Sequence, residues 1–299
     1  MNVRSYPSPE AFKQALEQRL RTSAKTGPDF ARKRQLLVFD RFLARVVALF
    51  GDNVTLKGGL VLELRLAKAR STKDVDLRLN GAADGVLAKL QQAARGDLGD
   101  YMMFEIGPDE DHSVIQNDGL QYDGLRFRAE CSLAGKRYGH PFGVDVVFGE
   151  PIFGDPDIVM TKDVLGFAGI APSQVRLYPI EMHVAEKLHA YTMPRTRPNS
   201  RVKDLPDIAL IATARSIDAK RLRRVLEQTF AFRKTHPLPT SLTEPIDAWT
   251  APYAAMAREN ALAWSTLSDV TQAARAFLDP VLGGELDATW KPEQWRWIA

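Results

Sequence analysis

Residues 56–59 read LKGG and residues 70–77 read RSTKDVDL, and these two motifs decide the fold of the chain. The residues before the glycines predict a short strand at 54–57, and the glycine pair predicts a turn into a helix at 60–68. Apolar and polar residues then alternate over 74–79, which predicts a second strand with its polar residues on one face. The sequence therefore predicts a strand, a glycine turn, a helix and a second strand in direct succession.

Three carboxylates and the glycine turn suggest a site for a metal ion and phosphate groups. Gly58 and Gly59 let the backbone approach a ligand closely, and they open a helix whose free N–H groups suit phosphate. Asp74 and Asp76 project from one face of the predicted strand, about 6–7 Å apart along the backbone. Asp145 lies on another predicted strand among valines, where a charge is costly unless it is paired or metal-bound. Such hard oxygen ligands suit Mg²⁺ that is held together with substrate phosphates.

Each of these features also has a purely structural interpretation. A Gly-Gly turn is common, and an Asp-x-Asp pair on an edge strand can simply be a solvated face. Motifs acquire meaning only in their structural context. Here the order of strand, turn, helix and strand, followed by a third strand carboxylate, favours a functional site.

The pattern resembles the nucleotidyltransferase superfamily typified by DNA polymerase beta, in which a Gly-Gly or Gly-Ser turn precedes an Asp-x-Asp/Glu strand. More narrowly, it resembles the AbiEii family of nucleotidyltransferase toxins and is similar to the MenT toxins of mycobacteria. Residues 181–190, EMHVAEKLHA, are similar to the family's Ala-Glu-Lys-Leu helix, and residues 201–208, RVKDLPDI, to its Lys-Asp-Leu-Tyr-Asp helix start. The resemblance covers most of residues 54–255. One departure is Pro206, which stands where the family usually has an aromatic residue.

Lys187 falls on the apolar side of a predicted helix at 180–193. A lysine in that position either extends its ammonium group to solvent or directs it at an anion. The resemblance implies the second role, in which Lys187 neutralises the triphosphate and the leaving pyrophosphate.

Asp204 and Asp207 stand at the start of a predicted helix at 204–214. An N-cap role for Asp204 and a first-turn position for Asp207 would explain both residues without a function. The resemblance implies a catalytic role for at least one of them, and the two roles are compatible.

The resemblance implies an α+β fold, with a mixed, polymerase beta-like nucleotidyltransferase sheet and flanking helices followed by a mainly helical C-terminal half. We expect the nucleotidyltransferase domain, with its N-terminal helices, at 1–160. A helical domain that completes the active-site cleft is expected at 161–299. Hydrophobic periodicity agrees with this division, because the pattern beyond about residue 160 is helical and its last long helix is predicted at 254–278.

The resemblance implies an enzyme that transfers a nucleoside monophosphate from a nucleoside triphosphate to an acceptor hydroxyl and releases pyrophosphate. Mg²⁺ is the implied cofactor. The implied metal ligands are Asp74, Asp76 and Asp145. The implied catalytic residues are these three with Lys187, Asp204 and Asp207, and the implied nucleotide-binding residues are Lys57, Gly58, Gly59, Arg70, Ser71, Thr72 and Lys187.

The resemblance further implies a bacterial type IV toxin that arrests growth or aborts phage infection and is neutralised by a cognate antitoxin. RNA is the expected acceptor, because in some relatives it is the 3′ end of tRNA. The donor nucleotide is left open, and so is whether Ser71 or Thr72 binds phosphate or becomes modified in an inhibited state. Two alternatives remain: a catalytically silent nucleotidyltransferase-like module that binds RNA or protein, and a transferase that acts on a protein or an antibiotic.

Composition excludes several other classes of protein. Hydrophobic residues make up 45% of the 299 residues and charged residues 26%, which is typical of a globular protein. No stretch approaches the ~20 apolar residues of a membrane-spanning helix, and the N-terminus has no apolar secretion signal. The single cysteine, Cys131, excludes an intrachain disulfide framework and a multi-cysteine metal site. We therefore expect a cytoplasmic protein that does not contact a membrane.

Positive charge is concentrated in one segment of the chain, residues 195–234. Lys and Arg number 40 against 37 Asp and Glu, a net charge of +3. Residues 195–234 hold eleven basic and four acidic residues, a local excess of seven positive charges. Such a segment is either a solvated helix surface or a place where an RNA acceptor binds.

Overall fold

The computed structural model of the chain describes residues 6–66, 71–109, 124–195 and 201–299. Two helices open this part of the chain, α1 (Pro9–Ser23) and α2 (Gly27–Phe50). Both begin as their sequences dictate, because Ser8 and Thr26 accept hydrogen bonds from backbone N–H groups and a proline occupies each first turn. Their apolar residues join those of the central sheet in one hydrophobic cluster.

A mixed sheet forms the centre of the N-terminal part. Its strands are β1 (Val54–Lys57), β2 (Asp74–Leu79), β3 (Met102–Pro108), β4 (Gly124–Leu133), β5 (Lys136–Arg137), β6 (Phe142–Phe148), β7 (Asp157–Met160) and β8 (Gln174–Leu177). Within the described ranges the order is β3-β4-β6-β2-β1-β8-β7, with β5 paired to β4. The pairs β2–β6 and β1–β8 are parallel, and the others are antiparallel. Helix α3 (Gly58–Arg65) directly follows β1, and helix α4 (Val86–Ala94) packs against β3.

The register of the sheet places four charged residues in one cross-strand row. Lys57 lies opposite Asp76, Asp76 opposite Asp145, and Asp145 opposite Arg126. Directly paired residues share a face of the sheet, so all four side chains project to the same side. The alternate residues of the same strands are buried in the core on the other side. This row is the framework of the candidate site.

The C-terminal part is mainly helical. Its helices are α5 (Ile180–Thr192), α6 (Asp204–Ala212), α7 (Ala219–Arg233), α8 (Thr250–Glu259) and α9 (Leu267–Leu282). Three short strands, β9 (Ile217–Asp218), β10 (Thr289–Lys291) and β11 (Arg296–Ile298), form a second small sheet. Trp290 on β10 is fully buried and donates its indole N–H to the carbonyl of Ala212 at 2.8 Å. The final segment is thereby packed onto the helices.

The fold class predicted from the sequence is confirmed, with a mixed sheet, flanking helices and a helical C-terminal half. The prediction of one helix at 254–278 is wrong. Helix α8 ends before Ala261, whose φ of +48° is left-handed, and α9 has a new N-terminus at Thr266. Thr266 and Asp269 form a reciprocal capping box, which stabilises that second start.

The sheet extends further along the chain than the helical pattern beyond residue 160 suggests. Strand β8 pairs in parallel with β1, beside the glycine turn. Leu177 belongs to the hydrophobic cluster of the sheet, whereas Tyr178 and the core residues after it belong to a second cluster. The division into 1–160 and 161–299 remains a prediction, and we propose that its boundary lies near Tyr178.

Candidate active site

Asp74 and Asp76 lie on one face of β2, at the centre of the sheet. Gly143 on β6 is opposite Asp74, and its N–H donates to Asp74 Oδ1 at 3.3 Å. A Cβ atom on Gly143 would lie 2.6 Å from that oxygen, so a side chain there would displace the carboxylate. Asp145 is the direct neighbour of Asp76 on the same face. The three predicted metal ligands are therefore adjacent in the structure.

Gly58 allows the glycine turn to approach Asp76. Its φ is +69°, a left-handed conformation that is energetically unfavourable for every residue other than glycine. A Cβ atom at this position would lie 1.9 Å from Asp76 Oδ2. Burial and the negative charges of Asp145 and Asp74 raise the pKa of Asp76 from 3.8 to about 7. The positive charges of Lys57 and Lys187 act in the opposite direction. Asp76 is therefore a closely packed carboxylate, and any additional positive charge nearby would stabilise its ionised form.

Asp145 is held by an arginine that the sequence did not single out. Arg126 donates from Nε to Asp145 Oδ1 and from Nη2 to Asp145 Oδ2, both at 2.6 Å. This two-pronged geometry is the strongest arrangement of a guanidinium and a carboxylate. It raises the pKa of Arg126 above its usual value. The charged residue was visible on a predicted strand, but its position opposite Asp145 depends on the strand register.

The segment just before β2 is held by hydrogen bonds to three other parts of the chain. Thr72 N donates to Glu63 Oε1 at 2.6 Å, and Arg32 donates to the carbonyl of Thr72 at 2.8 Å. Ser71 is exposed, and its N–H donates to Asn260 Oδ1 at 3.3 Å. Gly59 lies close to Thr72, because a Cβ atom on it would be 3.0 Å from the hydroxyl. The predicted nucleotide ligand Arg70 lies outside the described residues.

Lys187 on α5 forms ion pairs with both predicted aspartates of α6. Its Nζ lies 2.6 Å from Asp207 Oδ2 and 3.5 Å from Asp204 Oδ1. Helix α6 starts at Asp204 with Lys203 as its N-cap, and no side chain caps it. The N-cap interpretation of Asp204 is therefore wrong, because both carboxylates face Lys187 instead of the helix N–H groups. The geometry brings together the three residues that the resemblance linked.

Lys57 has two carboxylate partners beside the site. Its ammonium group pairs with Glu150 and, at 3.1 Å, with Glu186 Oε1. Arg233 on α7 lies 2.9 Å from Glu150 and 3.0 Å from Glu186, which completes a four-residue network. Burial raises the pKa of Glu150. It would also raise that of Glu186, but Lys57, the hydrogen bond with Glu150 and Arg233 together lower it.

This network was missed at the sequence level. Glu186 stands next to Lys187 in the motif that was singled out, which is a usable signal. Glu150 and Arg233 are isolated charges, and only the tertiary structure brings them together. Nucleotide binding by Lys57 stays a prediction.

The donor set fits a divalent cation. Mg²⁺ is usually bound through one or two carboxylates together with substrate phosphates, and Asp74 and Asp76 supply two such carboxylates on one strand. Within the part of the chain that the structure describes, no three His, Cys, Asp or Glu side chains already surround a common metal position. The free N–H groups at the start of α3 lie beside the carboxylates and suit phosphate.

Most of the basic segment at 195–234 is paired within the protein. In its described part, six cations form ion pairs with carboxylates, namely Arg201, Arg215, Lys220, Arg221, Arg223 and Arg233. Arg195 donates to the carbonyl of Ala190. Three exposed cations, Lys203, Arg224 and Lys234, have no ion pair in the described ranges. The positive charge available to a polyanion is therefore smaller than the sequence suggests.

The fold is that of a nucleotidyltransferase. It is similar to MenT4, a nucleotidyltransferase toxin from Mycobacterium tuberculosis, with a TM-score of 0.55 and 16% identity over 95% of this chain and 92% of that chain. JHP933 from Helicobacter pylori matches with a TM-score of 0.49 and 14% identity, over 83% of this chain and 92% of that chain. No curated protein sequence matches the chain significantly.

Sequence comparison identifies the family. Residues 41–298 match the nucleotidyl transferase AbiEii toxin family of type IV toxin–antitoxin systems, and the chain belongs to that family. The protein is therefore a nucleotidyltransferase, with a nucleotide substrate and an antitoxin partner implied by the family. Nucleotidyltransferases of this family generally need a divalent metal. Each described helix is too short or too polar to cross a membrane.

Proposed function

We propose that this protein is an Mg²⁺-dependent toxin that transfers a nucleoside monophosphate from a nucleoside triphosphate to an acceptor hydroxyl. The single observation that carries the proposal is the juxtaposition at the centre of the sheet. Asp74, Asp76 and Asp145 are neighbours there, beside the Gly58 turn. Lys187 is near enough for its charge to lower the pKa of Asp76. This combination suits the binding of a cation and a polyphosphate together.

The reaction forms one bond and breaks another at the α-phosphorus. The acceptor oxygen bonds to that phosphorus, the bond from phosphorus to the oxygen bridging the β-phosphate breaks, and pyrophosphate leaves with that oxygen. The hydroxyl proton passes to the carboxylate cluster or to solvent. Mg²⁺, when bound, supplies neutralisation of the charge that develops on the phosphate oxygens. In this proposal Asp74 and Asp76 hold the ion, and Asp145 completes its site or orients the hydroxyl.

The remaining predicted residues bind and orient the nucleotide. Gly58 and Gly59 present the N–H groups at the start of α3 to the phosphates. Ser71 and Thr72 extend this phosphate-binding surface, and nucleotide binding by Arg70 stays a prediction from the sequence. Lys187 neutralises the leaving pyrophosphate, and Asp204 and Asp207 hold its ammonium group in place through their ion pairs. A fixed cation costs no reorganisation when charge develops, which is how such groups lower a barrier.

RNA, in the form of the tRNA 3′ end, is the proposed acceptor. Its modification would arrest growth or abort phage infection in the cytoplasm, and a cognate antitoxin would relieve that effect. Family membership supports this proposal, and the exposed cations Lys203, Arg224 and Lys234 are available to contact RNA phosphates. Modification of Ser71 or Thr72 in an inhibited state belongs to the same proposal, since Ser71 is exposed and lies three residues before Asp74 in the sequence.

The test incubates the protein with Mg²⁺, total bacterial RNA and each α-³²P-labelled nucleoside triphosphate in turn. We expect label on a tRNA-sized band with the native protein and none with Asp74→Asn or Asp76→Asn. Glu105→Gln is the matched control, because Glu105 is an exposed carboxylate on the same face of the sheet at its far edge. Label on protein or on a small molecule would replace RNA as the acceptor, and no transfer to any acceptor would favour a silent binding module.

A further inference from the structure

The Arg126–Asp145 ion pair is more exposed than the buried two-pronged pair of Arg45 and Asp100. Arg45 and Asp100 form a pair of the same two-pronged kind, but their side chains are 1% and 0% exposed and Arg45 also bonds two backbone carbonyls. The side chains of Arg126 and Asp145 are 33% and 14% exposed, at the open side of the carboxylate row. Solvent can therefore replace the partners of the exposed pair at far smaller cost than those of the buried pair.

The same pair blocks one of the predicted metal ligands. Both oxygens of Asp145 accept short, charged hydrogen bonds from Arg126, so a cation bound to Asp145 would have to share this carboxylate with the guanidinium. The guanidinium charge also repels a cation from the position between Asp145 and Asp76. A metal ion and Arg126 consequently compete for Asp145.

A triphosphate offers Arg126 a second partner of the same geometry. Guanidinium binds phosphate oxygens in the two-pronged manner in which it binds a carboxylate. The glycine turn, where the phosphates are expected, approaches Asp76, and Asp76 is the direct neighbour of Asp145 on the sheet. Arg126 can therefore exchange partners without leaving the site.

We propose that Arg126 is a positioning residue that holds Asp145 until a metal-bound nucleoside triphosphate arrives, and that Arg126 then exchanges the carboxylate for a phosphate of that nucleotide. This inference rests on the proposed function, because it assumes that the site takes a metal and a triphosphate. Its consequence is that the third carboxylate joins the metal site only with substrate. Metal alone is held by Asp74 and Asp76 and binds weakly.

The test measures Mn²⁺ affinity from the electron paramagnetic resonance signal of free Mn²⁺, in the full-length protein without nucleotide. We expect Arg126→Gln to bind Mn²⁺ at least about tenfold more tightly than the native protein, the scale on which partners of ligating groups alter metal affinity. Arg128→Gln is the matched control, since Arg128 is an exposed arginine two residues along the same strand and face. We expect its effect to stay within about threefold, because it removes the same charge without releasing a carboxylate.

Two further variants keep the result interpretable. Adding Asp145→Asn to Arg126→Gln should abolish the gain in Mn²⁺ affinity. Arg126→Lys keeps the charge but loses the two-pronged contact, and it should show an intermediate gain even where Arg126→Gln fails to fold. Circular dichroism melting checks the folding of each variant. An Arg126→Gln or, failing that, an Arg126→Lys protein that binds Mn²⁺ no more tightly than Arg128→Gln overturns the proposal.

A second titration adds a triphosphate whose α,β-bridge is methylene, which cannot be transferred. The analogue should tighten Mn²⁺ binding in the native protein and should itself bind about tenfold more weakly to Arg126→Gln, which lacks the phosphate partner. Equal analogue affinity in the two proteins overturns the exchange. If the native protein transfers the ³²P label but Arg126→Gln and the native protein bind Mn²⁺ equally well, this inference alone is refuted. If Arg126→Gln binds Mn²⁺ more tightly but the native protein transfers no label to any acceptor, the proposed function is refuted instead.

Discussion

Gly58 and Asp76 are packed directly against each other. The glycine turn is close enough that a single added carbon would overlap the carboxylate, and burial together with the charges of Asp145 and Asp74 raises the pKa of Asp76. Close packing and like charges of this kind are common at functional sites, where stability is lost for a geometry or a charge that the chemistry needs. Two substitutions separate the geometric from the electrostatic part.

Gly58→Ala should slow transfer by about 100-fold or more. The added Cβ lies 1.9 Å from Asp76 Oδ2 and displaces a metal ligand, and a displacement of about 1 Å can cost about 100-fold in rate. Gly85→Ala is the matched control, because Gly85 has nearly the same φ, +68°, with open space around its Cβ position. Both variants should lose about 1–2 kcal/mol of stability from the left-handed backbone. A labelled product formed by Gly58→Ala at the native rate would contradict the close approach.

Asp76→Asn should stabilise the metal-free protein while it abolishes transfer. The pKa of Asp76 is about 7 in the folded protein against 3.8 ordinarily, so the folded state keeps a proton that the unfolded state loses. Stability therefore falls as pH rises from about 4 to about 7, and the full penalty persists above pH 7. We expect the substitution to raise the free energy of unfolding by about 1–3 kcal/mol at pH 8 and by less at pH 5.

Urea denaturation in a chelating buffer at the two pH values measures this difference. Glu105→Gln serves again as the exposed carboxylate and should leave stability unchanged at both pH values. An equal effect of Asp76→Asn at pH 5 and pH 8 would show that the carboxyl is not protonated in the folded protein.

Among the secondary-structure elements, the sheet is joined to the helices by the four-residue charged network around Lys57. Lys57 ends β1, Glu186 lies on α5, Arg233 on α7, and Glu150 follows β6. Lys187 follows Glu186 on α5, so this network also helps to position the ammonium group of Lys187, whose charge acts on Asp76. Its members are held by one another, which makes the loss of any one costly.

Arg233→Met should destabilise the protein by about 3–5 kcal/mol, because it leaves Glu150 and Glu186 buried with one cation between them. Lys220→Met is the control on the same helix, since it removes a solvent-exposed ion pair with Asp287 and should cause no measurable change. Chemical denaturation followed by tryptophan fluorescence gives both values. Equal stability of the two variants would mean that the network has no structural role.

For the whole molecule, the distribution of free positive charge decides how an RNA acceptor can bind. The described part of the basic segment uses most of its cations in internal pairs, and Lys203, Arg224 and Lys234 are left exposed. Electrostatic attraction between this segment and the proposed RNA acceptor should therefore be modest.

The salt dependence of tRNA binding should accordingly be shallow. Three phosphate contacts give a slope of log affinity against log salt of about −2 to −3, whereas eleven would give about −8 to −10. Fluorescence anisotropy with labelled tRNA across a range of salt concentrations measures this slope. Lys203→Gln should make this slope shallower by about one, and Lys220→Gln should leave the slope unchanged. A native slope steeper than about −6 would mean that the internal ion pairs open when RNA binds.

The sequence determined the central part of the site because that part is local. The turn at Gly58, the alternation that puts Asp74 and Asp76 on one face, and the apolar strand around Asp145 each depend on a few consecutive residues. Strand β3 was not predicted because residues 102–106 are apolar except for Glu105 and do not alternate clearly, and β7 and β8 are four residues long and give little signal. The break between α8 and α9 was missed because helical periodicity continues across Ala261.

Only the tertiary structure decided which distant residues meet. The pairing of Arg126 with Asp145 requires the register of β4 against β6, and a shift of one residue would turn either side chain to the other face. The ion pairs of Lys187 require the packing of α5 against α6, and the network around Lys57 joins residues up to 176 positions apart along the chain. Local patterns state which side chains share a face, but charge compensation depends on long-range contacts, and no local pattern encodes those.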